Sequence, residues 1–239
     1  MTPEQFYDVC DYMRSSIKNT RWWGRVYAVG GCNRDLVMGE PIKDVDFAVE
    51  VPDGGIRLGY TLASQKLTLG RVKMFKRYGT SMMRFRAFPD YEIEIVQTRS
   101  GSYPLDAPAK AKKFFGHLAQ DARLRDLTVN TLYYEVCGRK LLDPTGMALD
   151  DIHNHRLRTP AKPDVTLADD PLRVLRIVRF AVRYGWEIHP ALWDAMRRHI
   201  GELVKLKPER VAAELEKINS LPEADKAAEM LRRLGMCEI

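Results

Sequence analysis

Residues 27–50, YAVGGCNRDLVMGEPIKDVDFAVE, carry the side chains with the clearest chemical potential in the sequence. Val26–Val29 has strand character, Gly30-Gly31 turns the chain into a short helical run, and a second apolar strand carries Asp44 and Asp46. Strand side chains alternate between faces, so these two carboxylates point together, a few ångströms apart. Like charges at that spacing repel, and a divalent cation between them removes the repulsion. Gly30 and Gly31 let backbone N–H groups approach an anion where the following helix begins. A phosphate binder followed closely by a metal binder suits a triphosphate chelated to magnesium. A bare Asp-x-Asp is more often a hairpin with two surface aspartates, and the glycines ahead of it favour the catalytic reading.

The strand Tyr91–Val96 adds Glu92 and Glu94 on one face. A two-metal phosphoryl-transfer site needs a third carboxylate beside the first pair, and Glu94 is the choice, although an exposed strand face has the same spacing. Arg125-Asp126 and Asn130 fall one helical turn apart if Asp121–Leu132 is a helix, where they could hold a ribose and triphosphate. A surface ion pair is the simpler reading of that spacing. A helix over Leu167–Arg183 carries Asp169-Asp170 at its N-terminus, followed by Arg173, Arg176, Arg179 and Arg183. The aspartates suit the helix dipole, and Asp with Arg offers the acceptors and donors that read a base edge. The arginine series is either a solvated face or a strip for RNA backbone and triphosphate.

These residues need elements to position them. Thr2-Pro3-Glu4-Gln5 starts a helix that runs to about Lys18. A helix is expected over Ile56–Lys66, and strands over Thr80–Ala87 and Tyr91–Thr98 turn at Pro89-Asp90. Residues 100–120 shift to proline, alanine and lysine and read as a basic loop, with Lys110, Lys112 and Lys113 its charged part. A hairpin joins Tyr133–Val136 to Lys140–Leu142. After Asp143-Pro144 the chain is almost wholly helical, over Pro190–Ile200, Pro208–Asn219 and Glu223–Leu234. An α+β domain at 1–145 followed by a helical domain at 146–239 is the expected organisation.

The 239 residues carry 38 Lys and Arg against 32 Asp and Glu, a net charge of +6 that favours an anionic partner. Cys10, Cys32, Cys137 and Cys237 lack Cys-x-x-Cys spacing, which argues against zinc and for a reducing, cytoplasmic compartment. His153 and His155 have no accompanying ligand cluster, and the Walker phosphate loop is absent. No apolar window reaches membrane-span length.

Val29-Gly30-Gly31-Cys32-Asn33-Arg34-Asp35 with Asp44-Val45-Asp46 resembles the first motif of the class II tRNA nucleotidyltransferases, the CCA-adding enzymes, a motif shared by bacterial poly(A) polymerases. Arg125-Asp126-Leu127-Thr128-Val129-Asn130 is similar to the family's RRDFTIN. Asp143-Pro144-Thr145-Gly146 resembles its DPxGG, and Asp169-Asp170-Pro171-Leu172-Arg173-Val174-Leu175-Arg176 its EDPLRxLR. Lys207-Pro208-Glu209-Arg210-Val211 with Glu214-Leu215 resembles the neck-helix SxERIxxEL.

The resemblance implies a polymerase-β-like nucleotidyltransferase head with a short mixed sheet, followed by an all-helical neck. It implies template-independent transfer of CMP or AMP from CTP or ATP to the 3′ hydroxyl of tRNA, with Mg2+ and release of pyrophosphate. By position, Asp44 and Asp46 would be the metal ligands and Glu94 the third carboxylate. Gly30, Gly31, Arg34, Arg125, Asp126 and Asn130 would hold the nucleotide's sugar and phosphates. Asp170 and Arg173, with Arg176 alongside, would read the incoming base. Lys110, Lys112, Lys113, Arg179 and Arg183 would face RNA, the loop falling where the family has a flexible loop linked to switching from C to A.

Several positions depart from the pattern. Leu124 replaces the first arginine of RRD, Asp169 the glutamate of EDxxR, Cys32-Asn33 a small or apolar pair, and Met147 a glycine. The sequence has the form of a short member without most of the body and tail, for which a homo-oligomer or a partner would supply the RNA-binding surface. Two alternatives stand beside CCA addition: a poly(A) polymerase acting on other RNA 3′ ends, and a catalytically idle RNA-binding module.

Overall fold

A computed structural model describes residues 1–101 and 114–236 of the chain. The chain divides into two compact units, Met1–Leu124 with Asn130–Gly146, and Arg125–Val129 with Met147–Ile239.

In the first unit, helix α1 (Pro3–Ser16) starts from a capping box between Thr2 and Gln5 and buries Phe6, Val9, Cys10 and Met13. The following elements are β1 (Val26–Val29), α2 (Gly31–Met38), β2 (Val45–Val49), α3 (Gly54–Ser64), β3 (Thr68–Phe75), β4 (Thr80–Phe85), β5 (Phe88–Gln97), α4 (Leu118–Arg123), β6 (Tyr133–Glu135) and β7 (Lys140–Leu142). The strands form one seven-stranded sheet in the order β3-β4-β5-β2-β1-β6-β7. The pair β2–β5 is parallel and the other pairs are antiparallel, so the sheet is mixed, as expected for this α+β class.

The pleat sorts the strand residues. Val45, Phe47 and Val49 of β2 and Ile93 and Ile95 of β5 join α1 and α3 in the larger core. The alternate residues face the other way, where a smaller cluster gathers Tyr27, Val29, Ala48, Ala122 and Tyr133. Helix α3 lies hard against the sheet, since a Cβ on Gly55 would run into the carbonyl oxygens of Gly79 and Ile95. The Ser81 hydroxyl donates to the Gly55 carbonyl (2.7 Å) across that contact.

The second unit contains α5 (Ala148–His153), β8 (Arg156–Leu157), α6 (Pro163–Asp169), α7 (Arg173–Tyr184), β9 (Glu187–Ile188), α8 (Pro190–His199), α9 (Pro208–Asn219) and α10 (Ala224–Leu234). Proline opens α6, α8 and α9, where its missing N–H costs no helical bond. Helix α7 is the centre of this unit and buries Val174, Leu175, Ile177, Val178, Phe180, Ala181 and Val182. Arg125–Val129 belongs here through Asp151, which is fully buried and accepts from the Thr128 hydroxyl (2.6 Å), Arg156 (2.8 Å) and Arg158 (2.9 Å).

Three expectations are corrected. Asp121–Leu132 is not one helix: α4 ends at Arg123 and only a 3-10 turn at Thr128–Asn130 follows. Asp126 Oδ1 accepts from the Leu127 N–H (2.8 Å), a local bond that competes with the helical ladder. Asp126 and Asn130 therefore do not share a helix face. Nor is Leu167–Arg183 continuous, because Pro171 separates α6 from α7 and holds Asp170 extended (φ −149°, ψ 99°). Asp169 thus ends α6 instead of opening the arginine-bearing helix. Finally, β3 was not anticipated, and the β4–β5 turn falls before Phe88, placing Pro89-Asp90 within β5.

Candidate active site

In the first unit, Gly30 has φ 80° and ψ −135°, a conformation that side-chain-bearing residues rarely adopt, and it caps the N-terminus of α2. The first turn of an α-helix has no intrahelical acceptors for its N–H groups, so the turn at Gly30-Gly31 can receive an anion. Asn33, the departure from the family pattern, is fully buried and clamps this turn. Its amide donates to the carbonyls of Ala28 and Leu132, both at 2.8 Å. Sequence reasoning noted Asn33 only as a departure from the family pattern and assigned it no role. Arg34 is buried and donates to Asn130 Oδ1 (2.6 Å) and to Asp35 (2.6 and 2.9 Å). Two residues assigned to nucleotide binding, 96 positions apart, are thereby joined directly.

The carboxylates come together through strand register. Asp46 on β2 stands directly beside Glu94 on parallel β5, and Val29 of β1 lies on the other side of Asp46. Both acids are half-buried on the face opposite the large core. Asp44 is exposed and immediately precedes β2, one residue outside the strand expected to carry it. Burial, and then the charge of Glu92, raise the Glu94 carboxyl above its ordinary value. The Cys32 thiol is pushed up to about 12 by burial and by the charge of Asp46, so it stays protonated and donates to the Val29 carbonyl (3.3 Å).

Among the described residues, no three His, Cys, Asp or Glu side chains converge into a closed metal cage. The donor set nevertheless fits a hard divalent ion. Magnesium is held by one or two carboxylates and completes its shell with phosphate oxygens and water. Asp46 beside Glu94, with Asp44 at the strand's start, offers oxygen donors of that kind.

Asp121, a further buried acid in this unit, was also missed. It accepts from the Tyr133 hydroxyl (2.6 Å) and the Arg99 N–H (2.9 Å), tying the end of β5 to β6. Lys110, Lys112 and Lys113 lie outside the described residues.

In the second unit, Asp126 is paired with Arg176 through two hydrogen bonds to Oδ2 (2.6 and 2.9 Å). Arg125 is half-buried in the same segment. Asp170 accepts from the Leu172 N–H (3.2 Å) and from Arg210 of α9 (2.9 Å). Arg173 pairs with Asp169 (3.1 Å) and donates to the Thr166 carbonyl (3.0 Å). Both members of the expected base-reading pair are therefore oriented by neighbours within their own unit.

Arg179 departs from its expected place on an RNA-facing strip. It is mostly buried and donates to Glu214 of α9 (2.6 Å), while Arg183 is exposed and lies over the Tyr184 ring. Burial pushes the Glu214 carboxyl up, but Arg179 and then Lys217 outweigh it and hold it below the ordinary value of 4.5. A carboxyl depressed on folding contributes stability that is present above about pH 4.5 and lost as pH falls through its folded value. Arg179→Met should cost about 3 kcal/mol at neutral pH by leaving the buried Glu214 carboxylate with Lys217 alone. That cost should shrink below the glutamate range, as read by urea denaturation at pH 7 and pH 4.

Residues 26–158 match the family described as the poly A polymerase head domain. The chain belongs to the poly A polymerase head-domain family. Residues 185–239 match a second description, the probable RNA and SrmB-binding site of polymerase A. Among curated relatives of this family, the tRNA nucleotidyltransferase cca1 of Schizosaccharomyces pombe is 30% identical over 87% of this chain and 43% of its own length. The CCA-adding enzyme of Lacticaseibacillus paracasei is 33% identical over 80% of this chain and 45% of its own length. The chain thus spans less than half of either relative. A solved tRNA nucleotidyltransferase complexed with a primer tRNA and an incoming ATP analog superposes with a TM-score of 0.71 and 26% identity, covering 88% of this chain and 57% of that one. A CCA-adding enzyme in complex with CTP, at 19% identity and a TM-score of 0.78, shares the fold. Among the described residues, no helix is long and apolar enough to cross a membrane.

Proposed function

We propose that this chain transfers CMP or AMP from CTP or ATP to the 3′ hydroxyl of tRNA, completing all or part of the CCA end. The observation that carries the proposal is the in-register pairing of Asp46 with Glu94 beside the Gly30 turn, in a chain of this family. Relatives and solved neighbours named for tRNA, CTP and ATP support the substrate class.

Asp44 and Asp46 would hold Mg2+, with Glu94 as the third carboxylate. When bound, magnesium would neutralise the triphosphate oxygens, ease deprotonation of the RNA 3′ hydroxyl and stabilise the departing pyrophosphate. The Gly30-Gly31 turn receives the triphosphate at the N-terminus of α2, and Arg34 with Asn130 fixes the wall beside it. Arg125 would bind phosphate and Asp126, held by Arg176, a sugar hydroxyl. Asp170 and Arg173 present an acceptor and a donor to the base, which allows protein side chains to choose the nucleotide. Fixing these groups before the substrate arrives lowers the reorganisation needed at the transition state. Free Cys10, Cys32 and Cys137 favour a reducing, cytoplasm-type compartment.

The family description favours poly(A) addition as the second reading. Product mapping separates the two. The chain is incubated with each nucleoside triphosphate singly and tRNAs ending before CCA, after C and after CC. One- or two-residue additions that stop at the correct position are expected. Long A tracts would establish the poly(A) activity, and no incorporation with any triphosphate would refute nucleotide transfer.

A further inference from the structure

The positive excess of this protein is concentrated in one stretch of sequence, and that stretch is not the arginine-bearing helix. Residues 54–89 contain eight Lys and Arg and no Asp or Glu. The rest of the chain therefore carries 30 basic against 32 acidic residues, so this stretch accounts for the whole positive excess. It folds as α3, β3 and β4, with β3 at the edge of the sheet.

These elements enclose an open groove of about 930 Å³ whose walls include Lys66, Arg71, Lys73, Lys76 and Arg86, with no carboxylate among its lining residues. The Arg86 guanidinium is fixed by donating to the carbonyls of Lys66 (3.3 Å) and Thr68 (3.4 Å). Lys66, Arg71, Lys73 and Lys76 are exposed. Aromatic rings accompany the cations: Tyr60 lines the groove and is 54% exposed, and Phe75 and Tyr78 beyond it are 41% and 49% exposed. Gly70 at φ 67° and the register shift between Leu69 and Lys73 bend the edge strand where Arg71 projects.

Charges on an edge strand also deter pairing with another sheet. That need is met by a charge or two of either sign on β3. It does not account for Lys66, Lys76 and Arg86 off the strand, for the exclusion of acids over 36 residues, or for the exposed rings.

We propose that this groove binds the phosphodiester backbone of RNA. Clustered cations neutralise successive phosphates, and exposed rings offer faces on which unpaired bases stack. The choice of RNA over other polyanions rests on the transfer reaction proposed above.

The test measures binding of a fluorescein-labelled RNA hairpin with a single-stranded 3′ end, by anisotropy across a salt series, in EDTA and without nucleoside triphosphate. Binding is then independent of transfer, so a failure of the catalytic reading leaves this result standing, and the reverse holds. Replacing Arg71, Lys73 and Lys76 by Gln should raise Kd about tenfold and lower the salt slope by about 2, since each phosphate contact contributes about 0.7–0.9. Lys73→Gln alone should lower the slope by about one and replaces the triple variant if circular dichroism shows that it unfolds. A control triple with the same change in net charge, Lys18→Gln, Arg21→Gln and Arg25→Gln, should move neither quantity. Unchanged Kd and slope in the groove variants, or equal losses in both triples, would overturn the proposal. Loss of binding to phosphatidylserine vesicles with RNA binding intact would overturn it in favour of a membrane surface.

Discussion

Asp46→Ala is expected to lower the single-turnover rate of nucleotide transfer at least about a thousandfold, equivalent to about 4 kcal/mol of transition-state stabilisation. The size follows from position. Asp46 occupies the central strand of the carboxylate row and stands in register with Glu94. Its removal takes away the carboxylate that stands in register with Glu94. Asp46 is half-buried on the face opposite the large core, so the thermal midpoint should change little beside the loss of rate. A large loss of rate with no loss of stability separates a missing ligand from a damaged fold. Thermal unfolding and single-turnover kinetics on one preparation make that separation.

Asp170→Ala should lower kcat/KM for the preferred triphosphate about 10–100-fold, and its selectivity over the remaining triphosphates by a similar factor, the range of one well-oriented base contact. Magnesium dependence should not change. Arg210 sets the direction of the Asp170 carboxylate from α9 at 2.9 Å without itself being assigned to the base. Arg210→Met should therefore reproduce part of the selectivity loss, and Arg210→Lys should restore some of it, whereas a purely structural role would shift stability and leave the selectivity ratio untouched. Competition between pairs of triphosphates on one tRNA measures these ratios.

What the sequence made legible follows from the reach of each signal. The period-2 alternation of β2 and β5 put Asp46 and Glu94 on predictable faces, because a pleat has one repeat and the large core needs Val45, Phe47, Ile93 and Ile95. Which strands are neighbours is not a local property, so only the structure supplies the Asp46–Glu94 register. Helical spacing over Asp121–Leu132 was misleading because Asp126 bonds its following N–H and pairs with Arg176, 50 residues away. Pro171 carries the signal for the break in Leu167–Arg183, since proline disfavours helix at the residue before it. Strand β3 escaped notice because Gly70 and a register shift interrupt its alternation, which holds only over residues 71–74. The arginine series itself split by burial: Arg179 lies against Glu214, whereas Arg183 stays exposed.

The most direct measurement of the central claim is transfer of labelled CMP to tRNA lacking its CCA end, by the unaltered chain and by Asp46→Cys, in Mg2+ and in Mn2+ or Cd2+. A thiolate in place of a carboxylate disfavours a hard ion and tolerates a softer one. The expected result is incorporation by the unaltered chain in Mg2+, none by Asp46→Cys in Mg2+, and partial recovery of the variant with the softer ions. Incorporation by Asp46→Cys in Mg2+ at the unaltered rate, or none by the unaltered chain in any metal, would contradict it.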